Sequence, residues 1–519
     1  MNKTRIALAV LAAASAVGTL APWYTGMQLE EVLQTSIRQG NEQLQESVPG
    51  TGVSMELVAL ERGFFASTAH YRLTLDDTSS GEEPTELLFS DRIEHGPLPL
   101  SRLQALELKP VMAASRFELE RSEDVIPWFV GAGGGSPLTG SLVLNYDNSV
   151  TGRVTLLPLQ FAGEGNSVRF SGMNLDVAAG AQSEYLRLAG GMDSLILDLT
   201  RDGEPLQIQL KGLSLRSDYR LGQSGLYTGD SRLALQQAQL LLADRPPVEV
   251  RDFVQTDRLE ELDGQMKGAF GYDIGMLSYG SQPLGSLNLS LSLANLDVLA
   301  LKSLGDWYTG FLRRLQTQPD GDTGLSAEEH DGLQAGLGAL LAGQPKLALD
   351  NLSLKTANGE SRFNLVVDLA RPVSYELPPA ELARQLVGKV DARLVLAKPM
   401  IRDVVMYQAA LDPAVDAAAA ALEATQLAEM AGEMATSTQL ARVEGDNIVA
   451  NLSYADGQIE LNGQTLPAEQ FAGLLLSMAP AEAMGLMMGA EDGSAAGDGQ
   501  DYPGADSGEM ATDSEAEPR

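Results

Sequence analysis

Between residue 51 and about residue 300, apolar and polar side chains alternate in short runs. Examples are Val53-Met55-Leu57, Tyr71-Leu73-Leu75, Leu142-Leu144-Tyr146, Leu195-Leu197-Leu199 and Leu233-Leu235, with Gly, Asn, Asp and Pro between them. A period of two predicts antiparallel strands with one apolar and one polar face. A finer pattern, two apolar pairs separated by a gap of three, recurs as Val168-Phe170/Met173-Leu175 and Ile208-Leu210/Leu213-Leu215. It returns as Leu291-Leu293/Leu296-Val298 and Leu347-Leu349/Leu352-Leu354. On a straight strand a spacing of three turns the apolar set to the opposite face. The gap residues are Ser171-Gly172, Lys211-Gly212, Ala294-Asn295 and Asp350-Asn351, mostly bulge or kink formers. Two outcomes stay open: a bulge that restores the facing within one long bent strand, or a turn between two short strands. The copies are irregularly spaced, which excludes a fixed-period solenoid.

Helical spacing takes over elsewhere. Met27–Val48 carries Leu29, Val32, Leu33 and Ile37 at helical intervals and stops at Pro49-Gly50. Leu299–Thr317 places Trp307, Tyr308, Phe311, Leu312 and Leu315 on one side, followed by a loop over Pro319–Gly332 and a short helix over Leu333–Ala342. Strands resume at Lys346–Lys355, Arg362–Leu369 and Lys389–Leu396, with a helical turn at Pro379–Val387. Helices follow at Pro399–Ala410 and Pro413–Val443, the second N-capped by Asp412. Asn447–Tyr454 and Gln458–Leu461 flank Asp456-Gly457 as a hairpin. Pro467–Gly489 is a Leu- and Met-rich helix that packs in a core, contacts a second copy or lies on a membrane; from Glu491 the tail is acidic and predicted disordered. The predicted class is α+β and β-rich: an N-terminal transmembrane helix, large antiparallel curved sheets, and helices mainly in the C-terminal third. The divisions are an anchor (1–24), a juxtamembrane helix (25–50) and a β region (51–298). A helical insertion (299–345), further strands (346–397), a helical segment with the hairpin (398–490) and the tail (491–519) complete the chain.

The first residues predict an address. Lys3 and Arg5 precede an uncharged stretch with Ile6, Leu8, Val10, Leu11, Val17 and Leu20, closed by Trp23 and Tyr24, and no charge returns until Glu30. A helix over Ile6–Tyr24 would be roughly 28 Å long, close to the hydrocarbon thickness of a bilayer. Cations on one flank and aromatics on the other are the anchors expected for a cytoplasmic N-terminus and an exported body. Ala14-Ser15-Ala16 offers a competing signal-peptide cleavage site. The apolar character continues past it, so the expectation is an uncleaved single pass.

The chain has 519 residues and a formal net charge of −34, from 70 acidic and 36 basic side chains. That field disfavours nucleic acid as a partner. There is no cysteine, hence no disulfide, thiolate ligand or acylated lipoprotein terminus. Aromatics are only 5% of the chain, so the core is aliphatic. His70, His95 and His330 are far apart and lack ligand spacing, and no GxSxG elbow is present. The run Gly131–Ser136 lacks the Lys-Ser/Thr of a phosphate loop and reads as a connector. No catalytic residue, metal ligand or cofactor-binding residue is assigned. Trp23-Tyr24-Thr25-Gly26 recurs as Trp307-Tyr308-Thr309-Gly310; the second copy reads as a core anchor, with a second membrane-contacting element as the alternative.

Several blocks together resemble the YdgA-like family of Gram-negative envelope proteins. They are Trp23–Gly26, Asn41, Glu61-Arg62-Gly63-Phe64-Phe65-Ala66-Ser67, His95-Gly96-Pro97 and the hairpin from Tyr454 to Asn462-Gly463. The resemblance implies an inner-membrane anchor and a periplasmic body, and it supplies no reaction. The functional expectation is a non-enzymatic envelope protein whose curved apolar sheet contacts a lipid or a partner protein. The alternatives are a scaffold acting as a homodimer and, less favoured, an envelope hydrolase with scattered acidic catalysts.

Overall fold

The computed structural model describes residues 29–47, 52–76, 84–467 and 471, apart from Glu164, Asp202, Asp244, 318–323 and 411–414. The expected anchor, most of the expected helix over Pro467–Gly489 and the acidic tail lie outside the described residues. Among the described residues, no helix is long and apolar enough to cross a membrane. Residues up to Thr465 form one compact unit; from Leu466 onward lies a second, of which only three residues are described.

The chain opens with α1 (Leu29–Ser47), then β1 (Gly52–Glu61), β2 (Ala66–Asp76), β3 (Thr85–His95), a short α2 (Leu100–Gln104) and β4 (Ala113–Leu119). Then come α3 (Ile126–Gly131), β5 (Leu138–Leu144), β6 (Val150–Leu156), β7 (Leu159–Gly163), β8 (Asn166–Phe170) and β9 (Met173–Ala179). Long strands follow: β10 (Tyr185–Arg201), β11 (Glu204–Leu221), β12 (Tyr227–Leu242), β13 (Val248–Leu262), β14 (Gln265–Tyr279) and β15 (Gln282–Asp297). After α4 (Val298–Thr317) and α5 (Ala327–Ala342) come β16 (Lys346–Lys355), β17 (Glu360–Leu369), α6 (Pro379–Leu386) and β18 (Val387–Ala397). Helices α7 (Lys398–Ala410) and α8 (Ala417–Ser437) precede β19 (Arg442–Glu444), β20 (Asn447–Ala455) and β21 (Gln458–Leu461).

The register makes one antiparallel sheet in which almost every strand pairs with its neighbour in sequence. β1 to β6 pair in order; β6 and β7 pair with β9 and β8, and both of these pair with β10. From β10 the meander runs through β18 and then to β20 and β21. The sheet is open. α1 packs on β1, and the Asn41 side-chain amide donates to Met55 O at 2.8 Å and accepts from Met55 N at 2.8 Å. It thereby takes the two backbone groups that another strand would otherwise pair.

The choice left open at the gaps of three is resolved: all four lie along a continuing strand path. β11, β15 and β16 continue unbroken through their gaps, and β8 and β9 both stay on β10, with Ser171 N donating to Ser194 O between them. Gly172, Gly212 and Asn295 sit at φ of 91°, 65° and 59°, the left-handed region that re-aims a strand. The same spacing recurs in neighbours where the alternation did not reveal it: Met192/Leu195, Leu235/Ala238, Val250/Phe253 and Ile274/Leu277. Flanking pairs place Gly212 opposite Gln236, Gln236 opposite Asp252, and Asp252 opposite Gly275. The result is a transverse seam across the long strands. A Cβ on Gly212 would fall 2.3 Å from the Gln236 side chain, and one on Gly275 would fall 2.9 Å from the Asp252 Cβ. Glycine at these points leaves room for the facing side chain.

Smaller expectations are corrected. Tyr146 lies beyond β5 and is exposed, because the chain turns at Asn145–Ser149. The loop expected through Gly332 ends at Ser326, where a reciprocal capping box with Glu329 starts α5 seventeen residues before Gly343. α8 is capped by Asp416, not Asp412, and ends at Ser437. Tyr308 is exposed, whereas Trp307 stacks on Phe311 and its indole N–H donates to Glu329 O at 2.8 Å. Trp307 is itself only half-buried and joins neither buried cluster, so the repeat packs α4 against α5 rather than anchoring a core.

Candidate functional site

The packed core belongs to the first third. Leu33 of α1, Val125 just before α3 and Phe129 within it join Leu73, Leu87, Leu119, Leu142, Val150 and Val154 in one buried cluster. A second, small cluster, built on Met266, Leu296 and Val298, lies where β14 and β15 meet α4 and α5.

The long strands are different. Cross-strand pairing lines up Phe170, Leu195, Leu210, Ala238, Val250 and Leu277 in one row. Leu213, Leu235, Phe253, Ile274, Leu287 and Leu354 form a second. Tyr272, Leu289, Leu352, Phe363, Leu394 and Ala450 form a third. With strands about 4.8 Å apart, each row is about 24 Å long. The rows overlap, so an apolar band runs from β8 to β20. None of these side chains is buried, and Leu354 and Leu394 are exposed. Neighbouring side chains on a strand surface account for half-burial; a sealed core would bury them fully, as it does Leu73 at 0% exposure. Between the apolar positions the strands carry polar ladders. Asp198 accepts from Ser167 at 2.6 Å, Glu249 accepts from Gln237 at 2.8 Å and from Arg251 at 2.6 Å, and Asn351 donates to Asn288 at 2.7 Å.

The blocks that carried the family resemblance are mostly architectural. Asn41 caps the β1 edge. Asn462 accepts from Asn451 N at 2.9 Å and donates to Leu440 O at 2.9 Å, fastening the last hairpin to the end of α8. His95 Nε2 lies 3.1 Å from Ser67 Oγ, and burial lowers its pKa. Arg62 pairs with Glu30, while Phe64 and Phe65 stand 90% and 80% exposed.

Titratable groups are dispersed. His70 Nδ1 lies 2.6 Å from Glu120, and His330 contacts Gln334. Among the described residues, no cluster of three or more His, Asp or Glu is placed to hold a metal ion. Glu329 is held down at about 2 by Arg314, with Ser326 backbone and hydroxyl donors assisting. One acid was overlooked in the sequence. Asp91 occupies an inward position of β3, following the buried Leu87 and Phe89, and burial pushes its carboxyl up to about 6. Ser115 Oγ donates to it at 2.6 Å. It lines a cavity of about 30 Å³ with Tyr71 and Leu33, room for about one water molecule. The signal was legible: a carboxylate at an apolar step of an alternating strand.

The profile described as "Bacterial protein of unknown function (DUF945)" matches residues 1–469. The chain is 26% identical over 488 residues to "Protein YdgA" of Escherichia coli K12, covering 91% of this chain and 97% of that protein. It is 22% identical over 480 residues to "Uncharacterized protein YihF" of the same organism, covering 90% and 97%. An uncharacterized protein of Haemophilus influenzae is 25% identical over 192 residues, covering 36% of this chain and 52% of that one. No solved structure matches. The chain, matched over residues 1–469, belongs to the DUF945 family of bacterial proteins of unknown function.

Proposed function

We propose that this protein is a non-enzymatic, membrane-anchored envelope protein whose open, kinked sheet receives the acyl chain of a lipid along its apolar band. The inner membrane is its anchoring site and the periplasm holds the body; the charge pattern from Lys3 to Glu30 supports that orientation. The observation that carries the reading is the half-buried band from β8 to β20, three aligned apolar rows in which none of the side chains is fully buried. Contiguous apolar surface on this scale marks an interaction site. The seam bends strands that would otherwise be straight, which favours a concave face over a flat one.

The test is extraction of the full chain in mild detergent, lipid mass spectrometry of the purified protein, and photolabelling with a diazirine-bearing fatty acid. Co-purifying lipid and labels on Leu213, Leu235 or Phe253 are expected. A protein free of lipid, or labelled elsewhere, refutes the acyl-chain reading.

A second reading has its own observation. Leu422, Met430 and Met434 on α8 are exposed, 62%, 56% and 57% respectively, and would suit self-association into a homodimeric scaffold. Light scattering of the detergent-solubilised chain decides it: a monomer at all accessible concentrations removes this alternative.

A further inference from the structure

The β1–β2 turn and the β3–β4 connection share one end of the sheet, as the register requires: Glu61 pairs with Thr68, Ala66 with Glu94 and His95 with Ala113. His95 N donates to Phe65 O at 2.9 Å, so the β3–β4 connection starts against the aromatic turn. Both segments display large apolar side chains to solvent. Phe64 and Phe65 are 90% and 80% exposed, and Leu100, Leu106 and Leu108 are 62%, 82% and 66% exposed. The two phenylalanine rings pack edge to face, 4.8 Å apart, so they form a paired protrusion. Leu106 has φ of 58°, a conformation that leucine rarely adopts. It is held there by Leu106 N donating to Leu103 O and Glu107 N donating to Arg102 O. A strained leucine kept on the surface is a cost the fold has retained, and such outliers cluster at functional surfaces.

The same end is where the chain arrives from its N-terminus. α1 runs antiparallel to β1, with Asn41 against Met55 and Glu30 paired with Arg62, next to Gly63-Phe64-Phe65. The uncharged stretch Ile6–Tyr24 stops six residues before Glu30 in sequence. Six residues span at most about 20 Å even when fully extended. A bilayer entered at Tyr24 would therefore lie within that reach of Glu30, whose partner Arg62 adjoins the phenylalanine turn. With a net charge of −34, the body gains nothing from anionic headgroups, and uncharged apolar side chains are the groups that can hold it to lipid.

We infer that this end is a membrane-docking tip: Phe64, Phe65 and the leucines of the β3–β4 connection enter the interface of the bilayer that holds the N-terminal segment, standing the sheet end-on to the membrane. The inference rests on the anchored reading above and adds the contact surface and the orientation. It is independent of what occupies the apolar band.

The chain has no cysteine, so one introduced thiol reports one place. The full chain is reconstituted in vesicles of mixed phosphatidylethanolamine and phosphatidylglycerol as F65C, L106C or V130C, each carrying an environment-sensitive fluorophore. Val130 is 72% exposed on α3, in the β4–β5 connection at the other end of the strands, and serves as the control. The expected result is a blue shift and quenching by nitroxide-labelled acyl chains at positions 65 and 106, and a water-like signal at 130. Vesicle-bound protein with water-like signals at 65 and 106 overturns the docking tip and leaves anchoring intact. Equal quenching at all three positions overturns the end-on orientation. Protein that fails to float with the vesicles overturns the anchored reading and the tip with it. Agreement between the two labelled sites guards against a local effect of replacing one phenylalanine.

Discussion

Leu293 and Leu296 are three residues apart in β15 yet pack into the same cluster around Met266, because Asn295 between them adopts a left-handed conformation at φ 59°. A regular strand would send them to opposite faces. The relation explains how long strands change direction at the seam and keep one apolar surface. It places the stability of the seam in a few residues that tolerate positive φ.

Asn295→Val should therefore destabilise the protein by about 1–2 kcal/mol, since the left-handed region costs a side-chain-bearing residue about that much. Asn295→Gly should be close to neutral, although it also loses the Nδ2 donation to Gln344 O. Gly212→Ala should resemble the valine change, for it adds a Cβ at φ 65° against Gln236. Urea denaturation of the three variants gives the order.

The two kinds of apolar surface predict different mutational costs. Leu73 is fully buried in the first-third cluster, and Leu73→Ala should cost about 2–5 kcal/mol. Leu213, half-buried in the band, should cost no more than about 1 kcal/mol on the same change, since only part of its area is removed from water. A comparable loss at both positions in chemical denaturation would show that the band is a filled core.

Asp91 makes stability depend on pH with a defined sign. Its folded pKa, about 6, lies above the unfolded value of 3.8, so the folded state retains its proton over a range in which the unfolded chain has released it. Stability therefore falls as pH rises from about 4 to about 6, by about 3 kcal/mol in total. Asp91→Asn should abolish that component. Denaturation midpoints of both proteins at pH 4 and pH 7 measure the difference.

Asn41→Ala should leave Met55 N and O without their partners and cost about 2 kcal/mol, the penalty for two orphaned backbone groups at a partly buried edge. Because α1 joins the core through Leu33, the loss should appear locally. Hydrogen exchange is the readout: faster exchange in α1 and β1, with β10–β18 unchanged.

Much of the β architecture was legible because alternation reports side-chain facing directly. Strands such as Lys346–Lys355 and the Asp456-Gly457 hairpin follow from it, as does the helix over Leu29–Ser47 from its period. The start of α5 was also present in the sequence, in the Ser326-to-Glu329 capping box, but its glycines and polar first turn obscured it. Among the surface features, Phe64 and Phe65 were visible as a marked block. Their exposure was not, because a hydrophobic residue in a turn reads the same whether it is tucked in or turned out.

Residue order alone determined the two-faced strands, the absence of a cysteine and the strongly acidic net charge, all properties of side chains read one after another. Tertiary pairing decided which of those strands share a core. It also decided that the spacing of three is a seam crossing adjacent strands, and that Asp91 is buried beside Tyr71. Those outcomes depend on the register between segments distant in sequence and on burial from neighbours, and neither is encoded at any single position.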